Sequence, residues 1–299
     1  MTQHAEALTI ETPRPPQTGM LATNSSLRRL LRLKMARFAI TFIGLVVAAA
    51  LLAPVLTPYS PNKGVTYIGE APSTAHWLGT DAIGRDQLTR LLYGARSSLL
   101  VSVMAATFAV TVGMTLGLVA AYGRGIFDFV IMRWVDAMLA LPGLILPLVL
   151  LAAIGGGIRT VSLALGIGAT PGIARLMRGQ ALGQLERDYA LAARALGASP
   201  VRVLARHIMP NALAPIIVAA SLGMSFAVIA EAGLSFLGVG VTPPTATWGT
   251  MLATGFPSIR TAPWQVMAPG ISIFLLVLSL NFLGDALRDV LDPRLRGVT

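Results

Sequence analysis

Five long stretches of this sequence carry no charged residue, and they constrain the fold more than any other feature. They run from Phe38 to Leu56, Ser97 to Tyr122, Ala137 to Ile158, Ala212 to Ala230 and Val266 to Leu283. A helix needs about 20 apolar residues to cross a bilayer, so each stretch predicts a membrane span. Only 12% of the residues are charged, against about 25% in an average soluble domain. The chain is therefore predicted to be an integral membrane protein.

A sixth span is predicted from Thr160 to Ala174, although this stretch is short and contains Pro171 and three glycines. Without it, the arginines at 175–206 would lie across the membrane from the basic stretch at 28–37. With six crossings and the N-terminus inside, all but six of the 23 Lys and Arg residues fall on the inner side, as the positive-inside rule requires. The prediction is an all-α protein with six transmembrane helices and cytoplasmic N- and C-termini.

These spans divide the chain into a cytoplasmic tail, a first helix, an outer segment, a core and a second tail. The predicted bounds are 1–35 for the N-terminal tail, 36–57 for the first transmembrane helix, 58–96 for the extracytoplasmic segment, 97–290 for the transmembrane core with a cytoplasmic loop at 180–210, and 291–299 for the C-terminal tail. The third span contains Pro142 and Pro147. Their freed carbonyls need neighbouring helices or water, so this span is expected inside a bundle or beside a cavity.

The loop between the fourth and fifth predicted spans alternates charged with small apolar residues, which favours a short helix too polar to cross a membrane. Gly197 is placed for a left-handed C-cap, and Ser199-Pro200 for the start of a second short helix, Val201 to Ile208. Pro210 is then expected to begin the fifth span. A rigid pair of short helices beside the membrane is suited to docking in a groove of another protein and transmitting its movement.

Composition and motifs argue against an enzyme. A phosphate-binding loop ends in Gly-Lys-Ser/Thr, but the two lysines, Lys34 and Lys63, follow Leu33 and Asn62. The sequence has no cysteine and three scattered histidines, so no metal site is predicted. The net charge of +10 comes from residues at the ends of apolar spans. These residues are expected to orient helices and contact anionic lipid, not nucleic acid.

Glu231 is the acid placed deep within an apolar run, where an unpaired carboxyl is costly. It could contribute to a translocation path, or it could pair with polar neighbours and anchor the bundle; the second reading is favoured. Asp136 is expected to lie at the membrane interface, paired with Arg133, and Trp248 in an interfacial aromatic belt. The outer acids Asp81 and Asp86 could contact a partner or simply hold a folded loop.

The cytoplasmic loop resembles a motif of one transporter family. Leu191-Ala192-Ala193, three residues, Gly197, nine residues and His207-Ile208-Met209-Pro210 are similar to the "EAA" loop of ABC importer permeases. Matches to the dipeptide/oligopeptide/nickel branch follow in order: His76 to Asp81, Tyr93 to Leu99, Asp188-Tyr189, Glu231 to Gly238, and Asn281 to Asp285. Leu191 and Met209 depart from the general pattern, which has glutamate and leucine there.

The resemblance implies the type I ABC importer permease fold and a set of partners. These are a second homologous permease in a heterodimer, two cytoplasmic ATP-binding subunits and an extracytoplasmic solute-binding protein, in the inner membrane of a bacterium. ATP and Mg would be used by the ATPase subunits, with no cofactor bound by this chain. The coupling residues that follow from the motif are Asp188, Ala192, Ala193, Arg194, Gly197 and Pro210. Because Leu191 replaces the glutamate, Asp188 and Arg194 are left as polar contacts.

Family frequency favours di- and oligopeptides as the solute, with nickel or glutathione-like solutes as alternatives. A secondary transporter, the main rival class, would need its own ion site and usually an internal repeat. Neither is evident in the sequence, and Glu231 alone would not form such a site.

Overall fold

The computed structural model describes residues 29–64 and 67–291. Nearly all of the predicted C-terminal tail at 291–299 and most of the N-terminal tail at 1–35 lie outside the described residues. Within them the chain is helical, and the single β-type pairing is an isolated bridge between Thr80 and Asp86. The all-α class is thereby confirmed for the described part of the chain.

Five helices are long and apolar enough to cross a membrane. They are α1 (Lys34–Leu56), α2 (Gln87–Gly123), α5 (Ile158–Leu185), α7 (Pro200–Phe236) and α9 (Trp264–Leu291). Four shorter α-helices lie between them: α3 (Gly125–Leu139), α4 (Ile145–Ile154), α6 (Asp188–Ala195) and α8 (Trp248–Gly255). The short predicted span from Thr160 to Ala174 is thus longer than the sequence indicated, because α5 continues through Pro171 for 28 residues.

The third predicted span, Ala137 to Ile158, is wrong as a single segment. α3 begins earlier, at Gly125, and ends at Leu139, and α4 covers only Ile145–Ile154. Pro142 interrupts the helix because it has no N–H to donate and disfavours helical geometry at the residue before it. Two short helices joined by a turn therefore replace the expected long one.

Helices α2 and α5 form the closest helix pair, because glycines remove the side chains between them. A Cβ on Gly117 would lie 2.5 Å from the carbonyl oxygen of Ala174, and one on Gly113 would lie 2.8 Å from the Ile173 side chain. Gly166 of α5 makes the reciprocal approach to Phe108. Backbones this close interlock over several turns, so α2 and α5 are expected to move as one unit.

Helix α7 runs unbroken from Pro200 to Phe236, which corrects the prediction that Pro210 begins a separate span. A π-helical turn at Leu204–Ile208 lies just before this proline. The wider turn changes the hydrogen-bond pattern where Pro210 cannot donate to a preceding carbonyl. The second short helix and the fifth span are therefore one continuous element.

The long helices define two ends of the bundle. At one end, Gln265 at the start of α9 donates from Nε2 to the Thr80 carbonyl, 2.9 Å away, just before α2 begins. At the other, Ala286 of α9 packs with Leu30 and Ala36 at the start of α1. We call these the loop end and the hairpin end. The second name refers to the helical hairpin at 188–208, which comprises α6, its turn and the first turns of α7.

Candidate functional site: the helical hairpin and the buried Glu231

The turn of the helical hairpin is built by local sequence signals. Gly197 has φ +80°, its N–H donates to the Arg194 carbonyl, and the Ala198 N–H donates to the Ala193 carbonyl at 3.0 Å. These paired bonds form a Schellman motif, which closes the C-terminus of α6. Ser199 then accepts a hydrogen bond from the Arg202 N–H, with Pro200 in the first turn of α7. The predicted left-handed glycine and Ser-Pro helix start are confirmed.

One face of the helical hairpin is buried against the bundle. Ala190, Val203 and Ile208 are fully buried, and they pack on Ala121 of α2 and Leu185 of α5. Small side chains such as Ala190 let α6 lie close to the ends of both helices. The hairpin is therefore fixed to the interlocked α2–α5 pair and does not extend freely from it.

The opposite face of the helical hairpin is apolar and exposed. The exposed fractions are 88% for Leu196, 75% for Val201 and 50% for Leu191, and Ala192 and Asp188 are exposed beside them. Exposed apolar residues grouped at the tip of a rigid element are typical of a surface that contacts another protein. Asp188 adds a carboxylate in the first turn of α6.

Two side-chain contacts lie at the base of the helical hairpin. The Arg194 guanidinium carbon lies 5.6 Å from the centroid of the Tyr122 ring at the end of α2. The hydroxyl of Tyr189 donates to Gln184 Oε1 at 2.6 Å. Partial burial raises the pKa of the Tyr189 phenol. Tyr189 is 38% exposed, whereas Arg194 is only partly exposed, so Arg194 is the side chain that is withdrawn toward the bundle.

Glu231 lies in α7 far from the helical hairpin and is fully buried. Its carboxylate oxygens accept from Ser98 Oγ of α2 at 3.1 Å and from Ser235 Oγ at 2.9 Å. Ser98 Oγ also accepts from the Trp248 N–H at the start of α8, and Ser235 Oγ accepts from the Val241 N–H. One carboxyl group thus links α2, α7, α8 and the turn after α7.

The constellation of Asp81, Arg85 and Asp86 at the loop end is buried, which favours the folded-loop interpretation. Arg85 Nε donates to Asp81 Oδ2 at 2.6 Å. Asp86 caps α2 by accepting from the Thr89 N–H, and it pairs with His76 Nδ1 at 2.8 Å. Groups with their hydrogen bonds satisfied inside the chain are poorly placed to bind a partner directly.

Two smaller predictions are wrong. Asp136 of α3 pairs with Arg175 of α5, not with Arg133, because α3 lies alongside α5. Trp248 is 2% exposed and donates from Nε1 to the Leu91 carbonyl at 3.0 Å, so it belongs to the core and not to an interfacial belt.

A half-open groove of about 250 Å³ lies between α2, α5 and α7. Its walls are mainly alanine and glycine, with Phe226 as the one aromatic residue. Glu231 does not line it. The groove is apolar, and it offers no charged group to a solute.

Two family models match the chain. Residues 113–297 match the model described as "Binding-protein-dependent transport system inner membrane component". The chain belongs to this family. Residues 23–72 match a second model, the N-terminal transmembrane domain of oligopeptide transport permease C. The chain is therefore a permease subunit of an ABC importer and a multi-pass membrane protein, and its family is non-catalytic.

Relatives of similar length support the membership. A putative peptide transport system permease protein of Brucella suis is 41% identical over 282 residues, covering 94% of this chain and 95% of the relative. The dipeptide transport system permease protein DppC of Alkalihalophilus pseudofirmus is 38% identical and covers 99% of both chains. The glutathione transport system permease protein GsiD of Pectobacterium atrosepticum is 40% identical and covers 90% of both.

The fold has a counterpart among solved structures. A chain of the inward-facing MetNI methionine ABC transporter superposes with a TM-score of 0.56 at 20% identity. The superposition covers 68% of the permease described here and 97% of the other chain. At this level of identity, the likeness concerns the fold of the core alone.

Sequence reasoning missed two residues of the site. Ser98, a hydrogen-bond donor to Glu231, lies within the Tyr93 to Leu99 motif but is 133 positions away from the carboxylate in the chain. Tyr122 precedes the Gly123-Arg124-Gly125 turn, where nothing in the sequence indicates a contact with Arg194. Both contacts depend on how distant helices pack.

Proposed function

We propose that this permease carries di- or oligopeptides across the bacterial inner membrane, driven by two cytoplasmic ATP-binding subunits. A second homologous permease would complete a heterodimer, and an extracytoplasmic binding protein would deliver the solute. Family membership supports the assembly, and the named relatives, which include peptide, dipeptide and glutathione permeases, support the class of solute. Glutathione, itself a small peptide, and nickel complexes are the alternatives.

The proposed topology has six crossings, with both termini in the cytoplasm and residues 58–96 outside. Besides the five long helices, α3 and α4 together make one crossing, which is the third in chain order. α3 begins next to the end of α2, at the hairpin end, and α4 is followed by Gly157, whose N–H donates to the Gly240 carbonyl beyond α7. Helices α3 and α4 thus lead from the hairpin end of the bundle to the loop end. The excess of arginine near the hairpin end supports its placement on the cytoplasmic side.

The helical hairpin is proposed as the coupling element that docks on an ATPase subunit. The observation that carries this assignment is the exposed apolar tip on a base packed against α2 and α5. Gly197 sets the angle between α6 and α7, Ala192 and Asp188 face the partner, and Ala193 belongs to the packed side. Pro210 follows the π-helical turn that joins the hairpin to the membrane helix. ATP and Mg are used by the partner subunits.

Glu231 is proposed as a bundle anchor and not as part of the translocation path. Its carboxylate has two hydroxyl donors inside the protein and is fully buried. It lies apart from the apolar groove between α2, α5 and α7. A group that binds solute would need access to that solute, and this one has none in the conformation described.

The coupling assignment predicts a large effect of Gly197→Val. A β-branched residue at φ +80° is strained by about 1–2 kcal/mol, and the chain would relieve the strain by changing the angle of the hairpin. We expect peptide-stimulated ATP hydrolysis of the reconstituted complex to fall at least about tenfold. The measurement uses the permease pair, ATPase subunits and binding protein in liposomes, with di- and tripeptide pools as probes.

Gly197→Asn is the matched control, because asparagine tolerates the left-handed conformation. It should retain most of the stimulation. Equal activity of the Gly197→Val and wild-type complexes would refute the coupling assignment. If no peptide stimulates the wild type but glutathione or a nickel complex does, the assembly stands and the peptide assignment falls.

A further inference from the structure

Arg194 is expected from the family motif to be a polar contact for a partner, but in the structure it contacts Tyr122 of α2. Arg194 is only partly exposed, and its guanidinium lies over the Tyr122 ring at 5.6 Å. Its Nε atom is buried and has no hydrogen-bond partner in the described part of the chain. The side chain is therefore committed to the bundle, and the aromatic face is the group that compensates its charge.

We propose that Arg194 is a positioning residue that clamps the helical hairpin to α2, so that α2 carries the movement of the hairpin to the opposite end of the bundle. This inference rests on the proposed function, in which an ATPase moves the hairpin. It assigns Arg194 to an internal joint and leaves docking to the exposed apolar tip.

Helix α2 is suited to this task because it is a single helix of 37 residues, which spans about 55 Å at 1.5 Å per residue. Tyr122 lies in its last turn. Near its other end, Ser98 donates to Glu231 and accepts from Trp248 of α8. Arg90, one turn from its start, donates from Nη1 to the Pro61 carbonyl at 2.7 Å. A displacement of Tyr122 is thus delivered to α8 and to the outer loop.

Packing of α2 against α5 keeps a displacement of Tyr122 from being absorbed before it reaches the opposite end of α2. The close approach of Gly117 to Ala174 and of Gly113 to Ile173 interlocks α2 with α5. The hairpin is joined covalently to α5 and α7, and Ala190, Val203 and Ile208 pack it on the ends of α2 and α5. The Arg194–Tyr122 stack adds a directional contact with α2 itself.

The test measures peptide imported per ATP hydrolysed by the complete complex in liposomes. Arg194→Met and Tyr122→Leu keep much of the side-chain volume but remove the cation or the ring. Each is expected to lower this ratio about fivefold while basal ATP hydrolysis continues, and the double variant should be no worse than either single one. A loss of folded protein would lower import and hydrolysis together and leave the ratio unchanged.

Tyr122→Phe is the matched control, since it keeps the aromatic face and should keep the wild-type ratio. An unchanged ratio in Arg194→Met, or additive losses in the double variant, would overturn the proposal. Loss of ATPase copurification in Arg194→Met but not in Tyr122→Leu would make Arg194 a docking contact, which also overturns it. If the wild-type chain recovers no ATPase at all, the proposed function fails first, and the two failures are distinguished.

Discussion

Gly117→Ala is expected to lower the free energy of unfolding of the complex by about 3 kcal/mol, one of the two largest effects predicted for this permease. The added Cβ would lie 2.5 Å from the Ala174 carbonyl oxygen of α5, and its next contact would be with Met177, also of α5. A backbone atom cannot turn away as a flexible side chain can, so α2 and α5 must separate. Unfolding in mixed micelles with increasing denaturing detergent would measure the loss.

Gly179→Ala provides the matched control, because a Cβ there meets no atom within 4 Å. Alanine also favours the helix over glycine by up to about 1 kcal/mol. Its stability should therefore equal or exceed that of the wild type. If both alanine variants lose stability equally, the contact between α2 and α5 is not as close as the structure shows.

Glu231→Leu is the second large effect, with an expected loss of about 2 kcal/mol in the free energy of unfolding. Leucine fills a similar volume but offers no acceptor to the hydroxyls of Ser98 and Ser235. Those hydroxyls would turn to carbonyls of their own helices, and the cross-link between α2 and α7 would be lost. The same micelle unfolding assay, with the complex intact, measures this change.

Glu231→Gln separates an anchor from a transport role. Its amide keeps one acceptor and adds a donor, so the network can reform with a loss of about 1 kcal/mol or less. As an anchor, the glutamine variant should import peptide at close to the wild-type rate. A stable glutamine variant with no import would contradict the anchor assignment and place the carboxyl in the translocation path.

The placement of the arginines, not hydropathy alone, predicted α5, whose apolar run at 160–174 is short. Hydropathy predicted the other four long helices, because a charge-free run of sufficient length has few alternatives in a membrane protein. It did not predict the break between α3 and α4. The run from Ala137 to Ile158 is continuously apolar, and only the backbone effect of Pro142 divides it. Hydropathy reports where a segment can be buried, and it does not report where the backbone loses its hydrogen bonds.

The two halves of the site differ in how far sequence could predict them. Gly197 and Ser199 act within a few residues of themselves, so the turn of the helical hairpin could be predicted from local rules. The partners of Glu231 and Arg194 come from α2, and no local pattern connects them. Pro210 shows the opposite case, since a strong local signal for a helix start was overridden by a π-helical turn.

That π-helical turn sets the orientation of the hairpin about the axis of α7. In an α-helix each residue adds about 100° of rotation about the helix axis. A π turn contains one more residue than an α turn, so it changes the rotation between the residues before it and those after it. The five residues Leu204–Ile208 therefore decide which way the tip at Leu196 and Val201 faces relative to the membrane helix below it. An insertion or deletion of one residue in this turn would therefore turn a different side of the hairpin outward without changing the turn at Gly197.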